Sequence, residues 1–133
     1  MQRGRAAAVP PGDPAAVLVQ RAAGSLKKLT GAVMDKYYIT ATVYPKAGKE
    51  EAVQAEILKN IPHVRKEKGC LRYDLHMLRD GGKQCMLYEI WADKAAFEAH
   101  GAAPHMTTYR ERITDLLEAP TEVVIWSAVD VAQ

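Results

Sequence analysis

The four residues Asp80-Gly81-Gly82-Lys83 constrain this chain more than any others. Two adjacent glycines supply the positive φ angles of a tight turn, and alternating apolar residues flank them on both sides. They predict a β-hairpin in which Gly69–Arg79 leads in and Gln84–Trp91 returns. Upstream, Lys36–Tyr44 (KYYITATVY) is β-branched and aromatic and predicts a strand. Lys49–Arg65 carries Val53, Ile57 and Ile61 at helical spacing, and Pro62 is expected to bend or end that helix. Downstream, Asp93 can cap a short helix through Gly101. Pro104 starts another helix that runs to about Leu117, and Glu122–Val129 forms a last strand beyond Pro120. The order is strand, helix, strand, strand, helix, strand. It implies an α+β fold of ferredoxin-like βαββαβ type, a four-stranded antiparallel sheet with helices on one face. The other face is left bare, and if it is apolar a second copy is expected to cover it sheet to sheet, giving a homodimer.

At 133 residues, 48% of them hydrophobic, the chain has room for one real core. Its formal charge of +2 hides a division. Residues 1–33 hold five basic side chains against Asp13 alone, while the remainder holds 13 basic and 15 acidic. The body at 34–133 therefore lacks the basic surface of a nucleic-acid binder, and the positive charge belongs to a leader at 1–33. Within that leader, residues 15–29 are expected to form an amphipathic helix with Leu18, Ala22, Leu26 and Leu29 on one side. Three roles fit it: a mitochondrial-type transit segment, an extension without a role ahead of a start at Met34, or a helix that docks a partner. The apolar centre AAVLV is too short for secretion, so a cytoplasmic or mitochondrial location is expected. No apolar run approaches the ~20 residues that span a bilayer. Cys70 and Cys85 form no CxxC pair and are expected to stay reduced.

With Gly81 and Gly82 as a two-residue loop, Leu78 opposes Cys85, His76 opposes Leu87, Asp74 opposes Glu89 and Arg72 opposes Trp91. One face of the hairpin would then mix Arg72, Asp74, His76, Glu89 and Trp91. The other would hold Leu71, Tyr73, Leu75, Met77, Met86, Tyr88 and Ile90 as ordinary core. The mixed face is either a solvated or interfacial ion cluster or the wall of a polar pocket. A three-residue loop would slip this register. His100 and His105 are five apart with Gly101 and Pro104 between them, which excludes a helical metal pair of the i, i+4 kind, and no metal site is expected. Each is open to two readings: capping or packing, or a neutral imidazole serving a pocket as base or hydrogen-bond partner. His63, at a helix end, is expected to be exposed.

Together, "YPKAGKEEAV" after the first strand, "EKGCLRYDL" at Glu67–Leu75, "LYEIWADKAAFEAH" at Leu87–His100 and "PHM" at Pro104–Met106 carry a resemblance. From Lys36 onward the chain resembles the antibiotic biosynthesis monooxygenase (ABM) family, which includes small quinol monooxygenases. The resemblance implies a dimeric α+β barrel, two ferredoxin-like subunits joined through their sheets. It also implies oxygenation of a small electron-rich aromatic by O2 with no cofactor. By position, His100, Glu89 and Tyr73 match catalytic positions, with His100 as base or oxyanion partner. Trp91, His105, His76 and Arg72 are the expected substrate-binding residues. The first strand carries no asparagine, unlike members acting on haem or aromatic polyketides. The competing expectation is a non-catalytic dimeric binding module or an accessory subunit of a larger assembly.

Overall fold

The structure, a computed structural model, describes residues 17–21 and 36–132. In chain order it contains β1 (Val17–Arg21), β2 (Tyr37–Val43), α1 (Glu50–Arg65), β3 (Cys70–Met77) and β4 (Cys85–Trp91). Then follow α2 (Lys94–Ala102), α3 (Pro104–Ile113), a 3₁₀ turn at Thr114–Leu116 and β5 (Thr121–Trp126). The strands lie side by side in the order β1-β5-β2-β4-β3. From β5 to β3 all neighbours are antiparallel, which is the ferredoxin-like sheet expected from the element order. Pro62 sits inside α1 without ending it. It lies close to the helix end, where its missing donor and ring disturb little more than the last turn.

Strand β1 corrects the expectation of a helix over 15–29. Val17–Arg21 is extended and runs parallel to β5, from Val17 opposite Thr121 to Arg21 opposite Ile125. The other residues of that predicted helix lie outside the described residues. The outer edge of β5 offers unpaired backbone donors and acceptors, and a Val-Leu-Val segment is suited to meet them. Tertiary pairing here outweighs helical periodicity.

The hairpin register also differs from expectation. Tyr73 lies opposite Glu89, Leu75 opposite Leu87 and Met77 opposite Cys85. The pairing is one residue out from a two-glycine loop, because positive φ falls on Asp80 and Gly81 rather than on both glycines. The Leu78 amide bonds the Gln84 carbonyl at 3.1 Å, which closes an odd-numbered loop centred on Gly81. A shift of one residue moves a strand's side chains to the opposite face. Asp74 and Glu89 are therefore not opposed, and the mixed face predicted for the hairpin does not exist. Nor does the predicted apolar one: Tyr73 is buried, whereas Leu71 and Met77 are exposed. Met86, Tyr88 and Ile90 lie half-buried on the sheet's other face.

The helices cover the face that carries Ile39, Ala41 and Val43 of β2, Cys85, Leu87, Glu89 and Trp91 of β4, and Val123 of β5. All of these are buried. Helix α1 supplies Val53, Ile57, Ile61 and Val64, the predicted stripe extended by one turn. Helix α3 supplies Met106, Tyr109 and Ile113. Buried Asn60 is accommodated by donating to Met106 Sδ at 3.2 Å. On the sheet's free face, residues 127–131 wall a groove with Tyr38, Thr40, Tyr88 and Trp126. Both cysteines are free.

Candidate functional site

Gly69 builds the site from below. Its φ of 86° is left-handed, and a Cβ added there would stand 2.5 Å from Ala96 Cβ of α2. Its carbonyl accepts from the Ala92 amide at 2.8 Å. The turn between α1 and β3 is thus pressed against the start of α2, and Glu67, two residues earlier, sits beneath that helix. Asp93 caps α2 by accepting from the Ala96 amide at 2.8 Å, as the sequence suggested. Its last turn brings His100 inward. Pro104 restarts the chain as α3 and sets His105 in the first turn.

Two ring nitrogens meet one carboxylate oxygen. Glu67 Oε2 lies 3.0 Å from His100 Nδ1 and 2.6 Å from His105 Nε2. The side chains of Glu67 and His100 are 12% and 7% exposed, whereas that of His105 is 25% exposed and its ring stacks on His63 at 5.8 Å. The His100 ring also lies 4.5 Å from Trp91 and 5.6 Å from Tyr73, centroid to centroid. Trp91, wholly buried, donates from Nε1 to Glu89 Oε1 at 2.8 Å. The two histidines were expected to contribute separately to one pocket. In the structure they share an acceptor.

Burial dominates the electrostatics here. It pushes the Glu89 carboxyl up to about 8, with the nearby Glu67 charge adding to the effect and the Trp91 hydrogen bond opposing it. Burial therefore favours the protonated form of Glu89 at neutral pH. Burial also drives His100 below its ordinary value, against the upward pull of Glu67. His100 is therefore a neutral imidazole at pH 7. The phenols of Tyr73 and Tyr109 are pushed upward by burial, and so are both cysteine thiols, to about 11. Neither thiol is a ready nucleophile. Among the described residues every fully buried polar side-chain atom has a hydrogen-bond partner. His100 Nε2 has no bond there, so that nitrogen must touch solvent-accessible space.

Five of the predicted residues, Tyr73, Glu89, Trp91, His100 and His105, are thus gathered on the helix side of the sheet. Arg72 and His76 are not. The register shift puts them on the opposite face, where both are exposed and Arg72 pairs with Asp74 at 2.7 Å. Sequence reasoning did not single out Glu67 as a site residue, although it opens the motif "EKGC". Its signal was the glycine two residues on, which forces the turn that aims it. Among the described residues no group of three or more His, Cys, Asp or Glu side chains is arranged to hold a metal ion. No helix there is long and apolar enough to cross a membrane.

Comparison with known proteins agrees with this architecture. Residues 36–112 match the model of the family described as antibiotic biosynthesis monooxygenase. The chain is 31% identical over 94 residues to "Putative monooxygenase Rv0793" of Mycobacterium tuberculosis, which covers 71% of this chain and 92% of that protein. It is 29% identical over 86 residues to "Putative monooxygenase YcnE" of Bacillus subtilis, covering 65% and 90%. The solved structure of Rv0793 superposes with a TM-score of 0.69 over 74% of this chain and 99% of that one, at 28% identity. PA3566 from Pseudomonas aeruginosa gives 0.68 over 75% and 100%, at 27% identity. The family match spans more than half of the sequence and every strand and helix from β2 to α3 except Ile113, the last residue of α3, so the chain belongs to the antibiotic biosynthesis monooxygenase family.

Proposed function

We propose that the protein is a cofactor-independent monooxygenase that oxidises a small quinol-like aromatic. The observation that carries this is His100: a neutral, buried imidazole packed at a tilt against Trp91, with Nδ1 engaged by Glu67 and Nε2 open. A hydroquinone supplies all the electrons that O2 needs once its hydroxyl is deprotonated. In the overall reaction, one oxygen atom enters the ring, the other leaves as water, and hydroquinone becomes hydroxybenzoquinone. His100 Nε2 takes the phenolic proton, protonated Glu89 offers a hydrogen bond to developing negative charge, and Trp91 and Tyr73 exclude water. Metal-stripped protein should consume oxygen with a hydroquinone, and His100→Ala should lower kcat about 10²- to 10⁴-fold. Failure of a folded wild-type protein to turn over any of a panel of quinols and naphthols would contradict the proposal.

Functional assembly as a homodimer accompanies this reading. The sheet's free face presents Met86, Tyr88, Ile90 and Val124 half-buried and Trp126 49% exposed, a surface suited to a second copy. One observation favours a second reading, a non-catalytic binding module or accessory subunit. Trp91 is completely covered, so the region beside it is filled by side chains. In that case deleting residues 1–33 should abolish association with a larger assembly while the four antiparallel strands β2 to β5 and their helices still fold.

A further inference from the structure

We propose that Glu67 is the positioning residue of this site, holding His100 in the tautomer with hydrogen on Nδ1 so that Nε2 is the basic nitrogen. This rests on the oxygenase reading for its catalytic consequence, though not for its geometry. Glu67 Oε2 lies within hydrogen-bond distance of His100 Nδ1 and His105 Nε2 at once. An ionised carboxylate can only accept, so both nitrogens must donate. His105 is then fixed as the Nε2–H form and His100 as the Nδ1–H form. The second is the less common form of a free imidazole, so the protein must impose it. A buried carboxylate kept only for stability would be expected to sit beside a lysine or arginine. Among the described residues the Glu67 carboxylate is bonded by the two imidazoles and by no lysine or arginine.

The architecture suits a positioning role. Glu67 is delivered by the turn before β3, His100 by the last turn of α2 and His105 by the first turn of α3. Three separate elements therefore meet on one oxygen, and the His100 ring is held a second time by Trp91 and Tyr73. The titratable and charged groups around His100 are Glu67, His105 and Arg110, with Tyr73 edge-on to its ring and Glu89 behind Trp91. Of these, Glu67 alone hydrogen-bonds the His100 ring among the described residues and favours its cationic form.

Long-range proton–nitrogen NMR of the uniformly ¹⁵N-labelled full chain tests this directly, because only four histidines contribute. Above the imidazole titration, His100 should report Nδ1–H and His105 Nε2–H. A wild-type His100 in the Nε2–H form would overturn the proposal without any variant. Glu67→Ala should release His100 to the Nε2–H form and lower kcat for hydroquinone oxidation about 10- to 100-fold with KM little changed. An unaltered tautomer, or a raised KM with kcat preserved, would overturn it. Glu67→Gln keeps an acceptor oxygen and removes the charge. It should retain the tautomer while moving the acid limb of the pH–rate profile to lower pH, and an unmoved limb would count against Glu67 acting on His100. Should the wild type show the expected tautomers but no oxygen uptake, the oxygenase reading fails and the role of Glu67 in fixing His100 stands.

Discussion

Glu89 and His100 are two buried groups whose surroundings favour their neutral forms, and each leaves a mark on stability. Folded Glu89 keeps its proton up to about 8, while the unfolded chain releases it near 4.5. Between those values the folded state binds more protons, so stability falls as pH rises through that window. His100 acts in the opposite sense. Its folded value lies below 6.5, so the unfolded chain takes up a proton first and stability falls as the pH drops below that point. Glu89→Gln should keep the bond from Trp91, change little below pH 4.5 and flatten the alkaline decline. Urea unfolding at a series of pH values checks this, and a variant with the wild-type slope between pH 5 and 8 would contradict the burial of an acid at this position. Glu89 and His100 were both legible as candidates through the family resemblance carried by Leu87–His100, and strand alternation set Glu89 on one face with Trp91. Glu67 was not, since its role depends on a turn whose geometry only the folded chain displays.

Among the elements, the turn from α1 into β3 controls the site. Gly69 cannot take a side chain without left-handed strain and a clash with Ala96, so Gly69→Ala should cost about 1–3 kcal/mol and lower Tm by several degrees. It should also loosen α2 and with it the His100–Glu67 bond. Wild-type stability in this variant, measured by thermal or urea unfolding, would show that the close approach of α2 to β3 is dispensable. Element type and order could be read from periodicity because α1 carries a true helical stripe and the strands are β-branched. Register could not. A one-residue change in loop count turns a whole strand over, and Asp80, a residue that tolerates positive φ better than most, took the place assigned to Gly82. That single slip moved Arg72 and His76 out of the site. β1 escaped notice for a different reason: its partner, the edge of β5, lies about a hundred residues away in sequence.

On the scale of the whole molecule, the sheet divides the work. One face and its helices hold His100, His105, Glu67 and Glu89, and the other presents half-buried Tyr88 and exposed Trp126, the surface proposed above for a second copy. Trp126 on that face is half exposed while its Nε1 donates to Thr40 Oγ1 at 2.9 Å. If a second copy packs there, Trp126→Arg should weaken self-association by roughly tenfold or more, the effect of losing an aromatic anchor. Sedimentation velocity across a concentration series measures it, and identical monomeric profiles for wild type and variant would remove the sheet-to-sheet dimer. The most direct test of the whole account is reaction under ¹⁸O2 with a hydroquinone, followed by mass analysis of the product. Wild-type protein should place one labelled atom in the quinone and release the other as water, and His100→Ala should place almost none. A product without label, or equal labelling by the variant, would contradict oxygenation at a site served by His100.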